Sequence, residues 1–228
     1  MAAENLLLRI YDVLRSAFGH RGWWPADTPF EVMMGAVLTQ NTNWANVEKA
    51  VGNLTQAGLL SATGLSEAGE DEIQRLIRPA GYYRQKTARL RRLAGLVLEV
   101  CGPDDASLEG LRALPLEDLH EKLTSLKGIG HETAASILLY ALAKPVFVVD
   151  AYTVRVMARH QLIEPGISYA DLQAYFEDRL PTDVELFKDF HAQLVEVGKR
   201  YCKSRRPLCS SCPLHPLLGD PIEPDEYL

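Results

Sequence analysis

Apolar residues recur along nearly the whole chain at intervals of three and four, the period of a helix with one buried face. Leu6, Leu7, Ile10, Val13, Leu14 and Ala17 share one side of a helix spanning about Glu4 to Phe18, and Gly19 and Gly22 end it. After Trp23-Trp24-Pro25 breaks the pattern, Asp27 or Thr28 can cap a second helix that opens on Pro29 and runs to Gln40. Further periodic runs begin at Trp44 and Glu70, after Tyr83, at Asp150, and near Ala170 and Leu186, while Pro79 and Pro103 act as stops. The run from Val146 to Val149 is apolar but too short for a helix. No alternating strand pattern, internal repeat or low-complexity tract interrupts this, so an all-α fold is expected.

One stretch departs from plain amphipathic periodicity. Leu116, Leu119, Leu123 and Leu126 precede Gly128, and Ala134, Ile137, Leu138 and Ala141 follow Gly130, so Lys127-Gly128-Ile129-Gly130 joins helix to helix. Glycines on either side of one apolar residue free the backbone and leave amide N–H groups uncovered where the next helix starts, which suits an anion. Twenty residues after Gly130 stands Asp150. Its carboxylate can cap the helix it opens by accepting from the N–H of Tyr152 or Thr153, or it can do chemistry, or both.

Composition narrows the class. With 228 residues and 47% hydrophobic content the chain can bury a core in one large or two small domains. Arg9, Asp12 and Arg15 interrupt the first helix, which is neither a signal peptide nor a membrane span, so a cytoplasmic protein without a membrane partner is expected. The net charge of −6 speaks weakly against nucleic acid, but it is an average. Basic residues gather at Arg84, Lys86, Arg89, Arg91 and Arg92 and at Lys199, Arg200, Lys203, Arg205 and Arg206, whereas acids gather at 67–72 and in the tail from Asp220. Such segregation can make a positive groove, or each basic run can be a solvated helix face.

Near the C-terminus Cys202, Cys209 and Cys212 have the spacing C-x6-C-x2-C. In a cytoplasmic protein three thiolates so placed point to a metal rather than to disulfides. Cys101, in a distant helix, reads as an ordinary buried thiol.

Hairpin, aspartate and cysteine spacing together resemble the helix-hairpin-helix DNA glycosylases of the endonuclease III superfamily, and in finer look the endonuclease III-type 3-methyladenine glycosylases. The family's hairpin reads Leu-Pro-Gly-Val-Gly; here Lys127 replaces the proline. The resemblance implies two helical domains, residues 22–144 with the hairpin and residues 1–21 plus 145–228 with the cysteine loop, and a base cleft between them. Asp150 matches the carboxylate that assists departure of the base, because breaking an N-glycosidic bond builds positive charge on the sugar. Members that also cut the backbone carry a lysine two residues after the second glycine, and this chain has Glu132, which cannot form the imine. A monofunctional glycosylase is therefore expected.

The segment Phe30 to Thr42 resembles the one that carries the duplex-filling glutamine, here Gln40, which could otherwise cap its own helix. Gly35 stands where the adenine-mismatch branch has a glutamate. Trp23, Trp24 and Trp44 flank this segment and are the expected base pocket, unless they pack as core; electron-rich rings suit a cationic base such as 3-methyladenine. The hairpin, Lys127 to Gly130, would grip a DNA phosphate, with a monovalent cation on its carbonyls.

The family's fourth cluster cysteine would lie six positions after Cys212, where Leu218 stands. His215 is the candidate replacement in a [4Fe–4S] cluster with an atypical fourth ligand; zinc, or no metal, are the other readings. The expected partner is double-stranded DNA with a damaged base, and the expected state a monomer. The rival readings are a bifunctional endonuclease III-like enzyme for oxidised pyrimidines and a DNA-binding protein without catalysis.

Overall fold

The computed structural model describes residues 5–103 and 107–221. Among these residues there are thirteen α-helices and no strand: α1 (Leu6–Phe18), α2 (Pro29–Leu38), α3 (Trp44–Gln56), α4 (Ala62–Glu67), α5 (Glu70–Leu76), α6 (Tyr83–Cys101), α7 (Glu109–Arg112), α8 (Leu116–Ser125), α9 (His131–Ser136), α10 (Ala151–Arg159), α11 (Tyr169–Glu177), α12 (Val184–Arg200) and α13 (His215–Leu218). The all-α expectation holds. Glu4 and the acidic tail beyond Pro221 lie outside the described residues. None of the helices is long and apolar enough to cross a membrane.

The chain divides into two compact units, Trp24–Lys144 and Met1–Trp23 with Pro145–Leu228. In the first, α2 is the buried centre: every residue from Val32 to Leu38 is buried, and α3, α6 and α9 pack on it. Thr28, not Asp27, caps this helix, its hydroxyl accepting from the Glu31 N–H at 3.1 Å while the Glu31 carboxylate accepts from the Asp27 N–H at 3.0 Å. The helix stops at Leu38, two residues short of the expected end, and the chain turns at Asn41 with a φ of 54°. Lys86 is 1% exposed and its ammonium donates to the carbonyls of Leu38 and Ala80 at 2.9 and 2.8 Å. Burial, with Arg89 nearby, brings its pKa down to about 8. Lys86 therefore drops out of the basic cluster read from the sequence. Downstream of α9 the helix widens into a π-helical turn over Ile137–Ala141, all five residues buried.

In the second unit α1 and α10 both pack on α12. Its core holds four phenylalanines: Phe147 and Phe176 stack at 4.1 Å, and Phe187 and Phe190 meet Phe147 edge-on at 5.5 and 5.9 Å. This cluster buries the run from Val146 to Val149 as extended backbone. Both backbone groups of Phe147 are satisfied by side chains of α11. The Phe147 N–H donates to the Glu177 carboxylate at 2.7 Å, and the Phe147 carbonyl accepts from Gln173 at 2.6 Å. Burial pushes the Glu177 carboxyl up from its ordinary range. The extended run ends directly at Asp150, so the phenylalanines fix where that carboxylate sits.

Candidate active site and cysteine loop

The hairpin's two glycines differ. Gly128 has a φ of 96°, and a Cβ there would lie 2.4 Å from Arg89 Nε and 3.0 Å from its Cδ and Cγ, so conformation and space both require glycine. Gly130 has a φ of −91° and nothing within 4 Å of an added Cβ; what its missing side chain does is leave the N-terminal end of α9 open. Ile129 is buried at 4% exposure, and its N–H closes the turn on the Leu126 carbonyl at 2.9 Å. Arg92 donates to the Lys127 carbonyl at 3.1 Å. Glu132 is exposed in the first turn of α9.

Gln40 does not cap its own helix. Its amide nitrogen donates to Thr133 Oγ1 at 2.8 Å and to the Gly128 carbonyl at 3.3 Å, and its amide oxygen accepts from Arg89. It is thus fastened to the hairpin, a link between two motifs that are far apart in sequence. The tryptophans separate. Trp24 meets Trp44 edge-on at 5.3 Å and Tyr140 at 5.5 Å, whereas Trp23 belongs to the other unit, with the Lys199 ammonium 5.7 Å from its ring centre. Trp24 lies over Gly35, where a Cβ would come within 3.1 Å of the ring, so a larger residue there would press on the indole. Trp24 and Trp44 line an open groove of about 610 Å³ together with Asp27, Glu31 and Glu48, and the Trp44 N–H donates to the Glu48 carboxylate at 2.9 Å.

Asp150 is the N-cap of α10 and uses its two oxygens differently. Oδ1 accepts from the Thr153 N–H at 2.7 Å and its hydroxyl at 2.9 Å, while Oδ2 faces His191 Nε2 at 3.6 Å. The side chain is 12% exposed. Burial alone would raise its pKa, but the hydrogen bonds and charge from His191 and the cap from Thr153 outweigh it, and the net shift is downward. The carboxylate is therefore held ionised at neutral pH.

His191 is the residue that sequence reading missed. It lies on the buried face of α12 between Phe187 and Leu194, where a lone histidine looks like core. Its partner lies 41 positions away, Asp150 to His191 by number, and no local pattern joins them.

Among the described residues none of the four cysteines forms a disulfide, and Cys101 is only half-buried. Cys202, Cys209, Cys212, His160 and His215 line one small cavity with Arg159 and Tyr201. Arg159, 4% exposed, ties the loop down by donating to Cys202 Sγ at 3.2 Å and to the carbonyls of Lys203 and Ser204 at 2.6 and 3.0 Å. Burial, and then the charge of neighbouring thiols, push the Cys209 and Cys212 thiols up. His215 Nε2 lies 2.9 Å from Asp220. His160 Nδ1 is buried without a hydrogen-bond partner. Among the described residues, no three such side chains converge on one point as ligands of a single ion. Lys203, Arg205 and Arg206 are exposed.

Residues 34–182 match the family model of the HhH-GPD superfamily base excision DNA repair proteins. The chain belongs to that superfamily. A protein of Methanocaldococcus jannaschii carrying the provisional name DNA repair glycosylase is 41% identical over 210 residues, which cover 92% of this chain and 94% of its own. The structure of H. pylori 3-methyladenine DNA glycosylase bound to 1,N6-ethenoadenine has a TM-score of 0.70 at 30% identity, covering 85% of this chain and 97% of that one. A non-covalent endonuclease III–DNA complex reaches 0.78 at 22% identity over 96% of each chain, a likeness of fold. The family that the hairpin and Asp150 resembled is thus the right one, and the chain is an HhH-GPD DNA repair glycosylase.

Proposed function

We propose that this glycosylase is monofunctional and hydrolyses the N-glycosidic bond of an alkylated purine such as 3-methyladenine, flipped out of double-stranded DNA. The observation that carries the reading is Asp150, an ionised carboxylate whose Oδ1 serves the helix cap and whose Oδ2 does not. As the base leaves, positive charge grows on the sugar, and a fixed anion stabilises it and orients the attacking water. Glu132 occupies the position from which a lysine would attack the sugar, so the product is an intact abasic site.

Trp24 and Trp44 supply stacking surface, and the carboxylates of Glu31 and Glu48 in the same groove favour a cationic base over a neutral one. Each ring contact with such a base contributes roughly 0.5–2 kcal/mol. Trp23 is not among the residues that line this groove. The similarity to the H. pylori enzyme favours the same substrate class. Gln40 would leave the hairpin to fill the space of the flipped nucleotide, and Lys127, Gly128, Ile129 and Gly130 would hold a phosphate. A monovalent cation at the hairpin would sit on carbonyls other than those of Lys127 and Gly128, which already take Arg92 and Gln40.

Cys202, Cys209 and Cys212 fit a [4Fe–4S] cluster by donor chemistry, with one position left for a non-cysteine ligand. Each ligand of a four-iron cluster binds its own iron, so its donors need not converge as those of a zinc ion must. Such a cluster would cross-link the loop and present Lys203, Arg205 and Arg206 to DNA. The protein would act as a monomer in the cytoplasm.

The test is release of free base from DNA carrying methylated purines, oxidised pyrimidines or deaminated bases, wild type beside Asp150→Asn. Release of 3-methyladenine by wild type alone supports the reading. Preference for oxidised pyrimidines with strand cutting supports the bifunctional rival, and equal results for the two proteins support a non-catalytic DNA-binding role.

A further inference from the structure

Of the two histidines at the cysteine cavity, only His160 has a ring nitrogen that is buried without a hydrogen-bond partner. His215 is half-exposed at the rim, and its Nε2 is occupied by Asp220 at 2.9 Å. His160 follows the last residue of α10, and its Nδ1 is sealed from water with no donor beside it. A buried imidazole nitrogen without a partner calls for an explanation, and an absent ion or cofactor is one. The nitrogen belongs to a residue that lines the same cavity as Cys202, Cys209 and Cys212.

Arg159, the residue before His160, holds the cysteine loop by three hydrogen bonds, so α10 and the loop are fastened at the point where His160 enters. An apolar side chain would fill this place at less cost if packing were all that it did.

We propose that His160, rather than His215, is the fourth ligand of the cluster, binding iron through Nδ1 with its Nε2 protonated. The inference rests on the cluster reading above and adds to it the identity of the atypical ligand. His215, its orientation set by Asp220, covers the rim.

The experiment uses the full-length protein purified without oxygen, with iron, sulfide and zinc measured per chain. Histidine labelled with ¹⁵N then reports, through hyperfine coupling in the reduced cluster, whether a nitrogen binds iron. Wild type is expected to hold about four irons per chain and to show the coupling. His215→Ala should keep both. His160→Ala should lose iron to a three-iron form or none, and His160→Cys should keep the irons and lose the coupling, which guards against a variant that merely misfolds. Coupling that survives in His160→Cys or disappears in His215→Ala overturns the assignment and leaves the cluster standing. An iron-free or zinc-loaded wild type overturns the cluster, and this inference with it.

Discussion

The two polar sites of the second unit are built in opposite ways. Around Asp150 the protein supplies what the carboxylate needs: Thr153 binds Oδ1 twice, His191 faces Oδ2, and the balance holds the group ionised. Around the cysteine loop it assembles three thiols and two histidines about one cavity and leaves a buried ring nitrogen without a partner. The first site is complete as a folded protein. Under the function proposed above, the first would act on a substrate and the second would hold a cofactor.

The largest effect should come from Asp150→Asn. Loss of the charge should cut base release by about 10²–10³-fold, as removal of a preorganised electrostatic stabiliser does. Asparagine still accepts from the Thr153 N–H, so thermal unfolding at pH 7 should change little. A large fall in Tm would mean that the cap is the main role. Stripping the metal should show the reverse pattern, lowering Tm by several degrees and loosening the loop to proteolysis, because a ligand bound only by the folded state stabilises it.

His191→Leu sharpens the comparison from inside the first site. Without His191, burial acts on Asp150 unopposed by its strongest partner, and the acid limb of the rate profile should move to higher pH. Wild type should show no loss from Asp150 protonation between pH 7 and pH 5. The linkage to stability has the same sign. The folded pKa lies below the ordinary aspartate value of 3.8, so the contribution of Asp150 is complete above that value and fades as pH falls through the folded pKa. Urea titrations at pH 6 and pH 3, wild type against Asp150→Asn, read it directly.

The smallest predicted contrast is between the two hairpin glycines. Gly128→Ala meets Arg89 at positive φ and should cost roughly 1–3 kcal/mol, with weaker DNA binding. Gly130→Ala should stay within about 0.5 kcal/mol in unfolding experiments. Equal costs would contradict the assignment of backbone strain to Gly128 alone.

The helices were legible in the chain because three-and-four spacing of apolar residues is a local signal, and of the two caps read before Pro29 the structure uses Thr28. The hairpin and Asp150 were legible because their spacing is short. Long-range pairings were not. Lys86 looks like one more cation in a basic run until the carbonyls of Leu38 and Ala80 are seen around it. Trp23 and Trp24 are neighbours by number but fall in different units. His160 and His191 each stand alone in sequence, and only tertiary contacts give them meaning.

The central claim, base excision without backbone cutting, is tested most directly by incubating the enzyme with methylated duplex DNA in the presence of borohydride. The account predicts free 3-methyladenine, an uncut strand with an abasic site, and no covalent adduct. A trapped enzyme–DNA adduct would contradict it.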